Sequence, residues 1–175
     1  MAAPTLSAPM PAARLSRLWP AFAAAVSVVM LAAAHAFESF GGYAPCNLCL
    51  RQREVYWAAL AVAAAGLVLA RLKRPLGPAL SLILGAIFLA GMVVAAFHAG
   101  AEWKWWPGPA SCTGLGGAVS TDSLSSLLAG AKARPPACDE AAWRLFGISM
   151  AGYNALASAG LAALGFAAAF SERSK

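Results

Sequence analysis

The chain has 175 residues and a net charge of +6, yet only 11% of its residues are charged and 61% are hydrophobic. Soluble domains carry roughly 25% charged residues, so this composition excludes an ordinary water-soluble domain. The mean hydropathy of +0.67 supports the same conclusion. Most of the surface is therefore expected to face lipid.

Four apolar stretches come close to the length of about 20 residues that crosses a bilayer. They predict membrane spans at 18–37, 53–71, 78–97 and 146–170, with outer loops at 38–52 and 98–145. Because lipid cannot satisfy free backbone groups, the spans are predicted as helices and not strands. The expected fold is an all-α, four-helix membrane domain over 18–172, with a disordered Ala- and Pro-rich tail at 1–17 and a short tail at 173–175.

The first span has a competing interpretation as a secretory signal peptide. Arg14 and Arg17 precede an apolar run that ends at Ala34-His35-Ala36, which is similar to a cleavage site. The apolar core of a signal peptide is usually about 7–15 residues long. This run is longer, so a retained membrane span is favoured.

The distribution of charge predicts the orientation, because basic residues in short loops mark the cytoplasmic side. With alternating loops, one side carries Arg14, Arg17, Arg71, Lys73, Arg74, Arg173 and Lys175 against Glu172 alone. The other side carries Arg51, Arg53, Lys104, Lys132, Arg134 and Arg144 against Glu38, Glu54, Glu102, Asp122, Asp139 and Glu140. Both termini are therefore expected in the cytoplasm, and the excess positive charge indicates orientation and not nucleic-acid binding. An aromatic belt is expected at the opposite interface, formed by Phe37, Phe40, Tyr43, Tyr56, Trp57, Trp103, Trp105 and Trp106.

The four cysteines all fall in the two predicted outer loops, Cys46 and Cys49 in the first and Cys112 and Cys138 in the second. The outer compartment of a bacterium is oxidising and permits disulfides. Cys46 and Cys49 have the C-x-x-C spacing of thiol–disulfide oxidoreductases. A static structural disulfide is the alternative, although so small a ring would brace little of the loop. Zinc binding by all four is disfavoured, because the second pair lacks the tight spacing of zinc ligands.

The first pair is predicted to lie just before the second helix, where the helix dipole favours a thiolate. Arg53 lies one helical turn after Cys49 and on the same face, at a depth that a lipid-soluble ring could reach. Its alternative role is that of an interface anchor. The second pair encloses 25 residues rich in Gly and Pro, a flexible loop that suits exchange with another protein better than bracing.

The chain resembles the DsbB family, the disulfide bond formation protein B of bacterial inner membranes. The first-loop motif is Pro45-Cys46-x-x-Cys49-x-x-x-Arg53. The second-loop motifs are His98-x-Gly100-x-Glu102, Pro107-Gly108-Pro109-Ala110-Ser111-Cys112 and Cys138-Asp139-Glu140, followed by Trp143, Gly147, Ser149 and Asn154. The resemblance covers nearly the whole chain.

The resemblance implies a multi-pass protein-disulfide:quinone oxidoreductase of the inner membrane, in contact with lipid. Cys112 and Cys138 would form the disulfide offered to a periplasmic DsbA-like thiol oxidase. The freed Cys138 would attack Cys46 and release Cys49. Cys49 would then reduce a bound quinone, ubiquinone or menaquinone, beside Arg53. His98 would touch the quinone, or else serve as an ordinary interfacial histidine.

Two other functions are compatible with the sequence. One is a related enzyme dedicated to a single client thiol oxidase, which would use the same site. The other is a non-catalytic membrane scaffold braced by two disulfides. The sequence assigns no role to Arg51, His35 or Glu102, and it does not choose between the two quinones.

Overall fold

The computed structural model describes residues 10–73, 76–109 and 137–173. In these ranges the secondary structure comprises helices α1 (Met10–Ser39), α2 (Asn47–Arg71), α3 (Pro78–Glu102) and α4 (Met150–Arg173), and strands β1 (Arg144–Leu145) and β2 (Ile148–Ser149). The strands pair antiparallel, with Arg144 opposite Ser149 and Leu145 opposite Ile148.

All four described helices are long and apolar enough to cross a membrane. The membrane-spanning parts are Leu18–Ser39, Asn47–Arg71, Pro78–Glu102 and Met150–Ser171. Large apolar side chains such as Val29, Val93 and Leu156 remain more than half exposed, as a lipid-facing surface requires. The prediction of an all-α, four-helix membrane protein is confirmed.

The helices begin and end at different residues from those predicted. Helix α1 begins at Met10, inside the segment 1–17 that was expected to be disordered, because residues 10–17 are mostly Ala, Leu and Arg, which favour helix. Helix α3 continues to Glu102, five residues past the predicted end of its span. Trp103 is the C-cap residue, and the residue after it, Lys104, has a φ of 61° that is incompatible with helix.

The start of α4 is delayed by a hairpin that the sequence did not predict. The span was expected from residue 146, but Phe146 and Gly147 form the two-residue turn between β1 and β2. Their φ angles are 49° and 81°, and positive φ at both central residues is the requirement of a tight hairpin turn. The helix therefore begins only at Met150.

Aromatic side chains fill the centre of the bundle. Trp19 of α1 and Phe88 of α3 are fully buried, and their rings meet edge to face with centroids 6.2 Å apart. Tyr56 packs against Phe88 with a centroid distance of 6.2 Å. Since Tyr56 is only 4% exposed, its predicted place in the interfacial belt is wrong.

Trp106 folds back onto the last turns of α3. Its ring stacks on Phe97, and its Nε1–H donates to the Phe97 carbonyl at 2.9 Å. A Cβ atom at Gly100 would collide with this indole. Glycine at position 100 therefore allows the chain after α3 to return to the helix.

Helices α3 and α4 approach each other at a pair of glycines. A Cβ atom on Gly165 would lie 2.8 Å from the Gly85 Cα and 3.0 Å from the Gly85 nitrogen. Small residues at such crossings let helix backbones come close, which stabilises packing in lipid.

Gly165→Ala is expected to destabilise the bundle by about 1–3 kcal/mol, because the added methyl group meets backbone atoms that cannot rotate away. Gly160→Ala is the matched control, since nothing lies within 4 Å of its added Cβ. The control should be neutral or gain about 0.5–1 kcal/mol. Thermal unfolding of the detergent-solubilised protein measures both, and equal midpoints for the two variants would contradict the close crossing.

Candidate functional site

The C-x-x-C segment forms the N-terminus of α2, so it belongs to the helix and does not merely precede it. Cys46 is the N-cap residue, and its Sγ accepts a hydrogen bond from the Cys49 backbone N–H at 3.3 Å. The two sulfurs lie 3.0 Å apart and share a hydrogen bond. Both are free thiols. The predicted α2 span began at residue 53 because the polar residues of the first turn lower the hydropathy there.

His98 of α3 faces the same sulfur. Its Nε2 lies 3.6 Å from Cys46 Sγ, and both residues are buried. Since the Cys49 amide and His98 both approach Cys46 Sγ, we assign the shared proton to Cys49, which leaves Cys46 as the acceptor. The hydrogen bond from Cys49, and then that from His98, lower the pKa of Cys46 to about 4 against the opposing effect of burial.

Cys138, from the second predicted outer loop, also lies close to this sulfur. One ligand atom of each of Cys46, His98 and Cys138 lies within 4.8 Å of the other two. Cys138 is 1% exposed and is disulfide-bonded. Cys112 lies outside the described residues. The structure thus brings together one sulfur of each predicted pair.

The same three residues could in principle hold a metal ion, but their hydrogen bonding does not fit one. The Cys138 sulfur is already bonded to another sulfur. The Nδ1 of His98 lies 2.9 Å from the amide nitrogen of Gln52, so Nδ1 accepts a hydrogen bond and the ring proton is on Nε2, the atom that would have to bind the metal. The arrangement suits thiol exchange better than coordination.

Polar contacts hold the chain around Cys138 against the end of α3. Lys104 Nζ donates to Asp139 Oδ2 at 2.6 Å, and this ion pair lowers the pKa of Asp139. Arg144 donates to the carbonyl of Glu102 at 3.2 Å. The segment that follows Cys138 is therefore tied to the end of the helix that carries His98.

A cavity of about 520 Å³ opens beside the sulfurs. Its lining is mainly apolar, and its polar part includes Cys46, Cys49, Arg53, His98 and Glu102. Pockets for small molecules commonly measure about 300–1,000 Å³ and combine an apolar wall with a few polar groups. The structure thus brings the predicted residues Cys49, Arg53 and His98 to one chamber.

Arg53 and Arg51 leave α2 in different directions. Arg53 is 15% exposed, and it pairs with Glu38 of α1 at 2.5 Å and donates to the Ala34 carbonyl at 3.1 Å. Arg51 is 64% exposed and pairs with Glu54 on its own helix. Of these two arginines, Arg53 lines the cavity and Arg51 does not.

Glu102 adds a buried carboxyl group to the cavity. Ser149 hydrogen-bonds to the carboxylate, and Oε1 lies 3.6 Å from His98 Nε2. Among the described residues, Oε2 has no hydrogen-bond partner. A buried acceptor of this kind is a candidate contact for a polar group of a bound ligand.

A buried polar chain behind His98 was missed by the sequence analysis. Gln52 contacts His98 and accepts from Asn154 Nδ2 at 2.6 Å, and Asn154 accepts from the Tyr56 hydroxyl at 2.5 Å. Tyr56 also lies 3.2 Å from Ser158 Oγ. A signal was present, because Gln52 and Tyr56, and likewise Asn154 and Ser158, are polar residues four apart inside apolar spans. That spacing puts each pair on one helix face, and polar groups in spans face the bundle interior.

Comparison with known proteins agrees with this geometry. Four membrane-spanning helices that gather thiols and a histidine at one end define a membrane-embedded thiol oxidoreductase. The family model described as "Disulfide bond formation protein DsbB" matches residues 16–168, and the chain belongs to the DsbB family. No curated protein and no solved structure matches it. Disulfide bond formation by thiol oxidation is therefore its class of activity.

The closeness of Cys46 and Cys138 predicts that they cross-link. A Cys49→Ala/Cys112→Ala double variant should form a Cys46–Cys138 disulfide under mild oxidant, because sulfurs within 4.8 Å need only a small shift to reach the bond length of about 2.05 Å. Loss of maleimide labelling on a denaturing gel measures it. The triple variant that also lacks Cys46 should keep its remaining thiol. Two thiols that stay reactive in the double variant would contradict the described contact.

Proposed function

We propose that this protein reoxidises a DsbA-type thiol oxidase of the periplasm and passes the electrons through its two cysteine pairs to a membrane quinone. The observation that carries the proposal is the contact between Cys46 and Cys138. Each of these residues belongs to a different cysteine pair, and the two pairs come from different predicted loops. A scaffold braced by two separate disulfides has no need for such a contact. Electron transfer between the pairs requires it.

The exchange steps follow from thiol chemistry. A partner thiolate attacks Cys112 of the Cys112–Cys138 disulfide, a mixed disulfide forms, and Cys138 leaves with the electron pair. The Cys138 thiolate attacks Cys46 of the Cys46–Cys49 disulfide, the Cys46–Cys138 bond forms, and Cys49 leaves as a thiolate. A second partner thiolate then resolves the mixed disulfide, so the oxidised partner is released and Cys112 is freed.

The cavity beside Cys49 is suited to a quinone ring, since its wall is mostly apolar and it is also lined by the polar side chains of Arg53, His98 and Glu102. Arg53 and His98 would hold the ring, with Arg53 donating to an oxygen that gains negative charge. Glu102 offers a buried acceptor for a ring hydroxyl. When bound, a quinone accepts two electrons and two protons. The choice between ubiquinone and menaquinone depends on how each ring fits this wall.

The location proposed is the bacterial inner membrane, with both termini in the cytoplasm. The excess of basic residues at the termini and in the turn after α2 supports this orientation, because such residues mark the cytoplasmic side. The sulfurs would then face the oxidising periplasm, where disulfides persist.

Removing each cysteine in turn tests the electron path. We expect Cys46→Ser or Cys49→Ser to abolish reduction of a water-soluble quinone by reduced DsbA, and Cys112→Ser to abolish formation of the mixed disulfide with it. Quinone absorbance follows the first reaction, and gel shift follows the second. A Cys46→Ser/Cys49→Ser protein that reoxidised DsbA at the parental rate would refute the proposal. If the unsubstituted protein failed to reoxidise DsbA but reoxidised another thiol oxidase, it would be an enzyme dedicated to that client.

The two arginines of α2 offer a matched test of the quinone site. Arg53→Ala is expected to raise the quinone KM by on the order of ten- to a hundredfold, the effect of one lost hydrogen bond to a charged group. Arg51→Ala should leave the KM unchanged, since Arg51 is exposed and pairs with Glu54. Mixed-disulfide formation at Cys112 should persist in both variants. Equal changes in the two variants would place the ring elsewhere.

A further inference from the structure

We propose that Gln52 is a positioning residue that fixes the tautomer of His98, so that the Nε2–H of the histidine points at Cys46 Sγ. The inference rests on the proposed function, because it concerns the sulfur that both cysteine pairs share. The described hydrogen bonds of Gln52 involve no sulfur atom. Gln52 would therefore act on Cys46 only through the histidine.

The hydrogen bonds of Gln52 determine which end of its amide faces His98. Its Nε2 lies 3.2 Å from the Leu48 carbonyl oxygen, which can only accept. Its Oε1 accepts from Asn154 Nδ2 at 2.6 Å. Reversing the amide would set oxygen against oxygen at Leu48. The nitrogen of Gln52 therefore faces both Leu48 and the histidine.

This orientation of Gln52 selects the histidine tautomer. The amide nitrogen lies 2.9 Å from His98 Nδ1, so Nδ1 presents its lone pair and the ring proton is on Nε2. Nε2 lies 3.6 Å from Cys46 Sγ and also 3.6 Å from Glu102 Oε1. That distance is within reach of the larger sulfur but is long for a hydrogen bond to oxygen. The proton is therefore directed at Cys46.

The other titratable groups near the Cys46–His98 pair have contacts of their own, although the Oε2 atom of Glu102 has no hydrogen-bond partner among the described residues. Cys49 shares a hydrogen bond with Cys46. Glu102 is hydrogen-bonded by Ser149 and lies in the field of Arg144. Cys138 is disulfide-bonded and does not titrate. Among the described side chains, His98 is then the nitrogen donor whose orientation can change the state of the Cys46 sulfur.

The tautomer matters for the exchange between the cysteine pairs. When the freed Cys112 attacks Cys138 of a Cys46–Cys138 disulfide, the Cys112–Cys138 bond forms, the Cys46–Cys138 bond breaks, and Cys46 leaves with the electron pair. An N–H directed at Cys46 stabilises the departing thiolate, and better-stabilised thiolates leave faster. The pairing in this structure, with Cys46 free and Cys138 bonded, is the product that this donor favours.

Nitrogen NMR tests the tautomer without quinone or partner. The full-length, cysteine-reduced protein in detergent, labelled with ¹⁵N-histidine, should show His98 with a protonated Nε2 and an unprotonated Nδ1. The chain has two histidines, so His35→Asn assigns the signals. Gln52→Met should give a mixture of both tautomers. A parental His98 protonated at Nδ1 would overturn the inference while leaving the proposed function intact.

The pH dependence of Cys46 alkylation tests the consequence in a Cys112→Ser/Cys138→Ser background, with mass spectrometry identifying the modified sulfur. Gln52→Met is expected to shift the midpoint upward by about one pH unit, the order of effect of one hydrogen bond to a charged group. Asn154→Ala should give a smaller upward shift, since it frees the Gln52 amide to rotate. Arg51→Gln, on an exposed face of the same helix, should give none. Midpoints for Gln52→Met and Arg51→Gln that coincide with the parent would also overturn the inference.

Discussion

Polar side chains inside an apolar bundle must find partners within the protein, because hydrocarbon neither donates nor accepts hydrogen bonds. Here Gln52 and Tyr56 of α2 meet Asn154 and Ser158 of α4 in a continuous buried chain. The chain reaches α3 at His98. Helix packing alone would leave the rotation of each helix loosely determined, whereas these bonds require one arrangement of the three helices. The place of the histidine beside the Cys46 sulfur follows from that requirement.

The environment of the Cys46 sulfur combines a local and a tertiary contribution. Locally, Cys46 takes the N-cap position, where most helices use an oxygen-bearing side chain to accept the first free N–H groups. A sulfur in this position accepts the Cys49 amide and gains negative character from the helix dipole. The tertiary contribution is His98, held by a different helix. Both contributions favour the thiolate, whereas burial opposes the charge.

Composition and spacing predicted the class of fold and the place of Cys46 and Cys49 at a helix N-terminus, because each depends on local sequence. The meeting of Cys46 and Cys138 was expected only from the family resemblance, because composition and spacing do not determine how a long loop returns to the bundle. Helix ends were misplaced where polar residues lower the hydropathy although the helix continues, as at Asn47 and Glu102.

The buried chain behind His98 could have been found from the spacing of polar residues inside apolar spans. Gln52 and Asn154 each have a polar neighbour four residues later in the sequence. The identity of their partners could not be predicted, since it depends on the rotation of α2 against α4. The two tight-turn residues Phe146 and Gly147 were missed for another reason. A bulky residue at positive φ is uncommon, and the hydropathy of Phe146 is that of a membrane span.

The contact between Glu38 and Arg53 also bears on how the nascent chain enters the bilayer. A lone arginine is costly to insert into hydrocarbon, and it would hinder the integration of α2. Glu38 stands at the end of α1, across a short connection from α2, so the two segments can partition into lipid together as a hairpin with opposite charges already matched. The carboxylate on the first segment is therefore expected to lower the barrier to integrating the second. The guanidinium group that lines the cavity is thus also the one whose charge insertion into the membrane must accommodate.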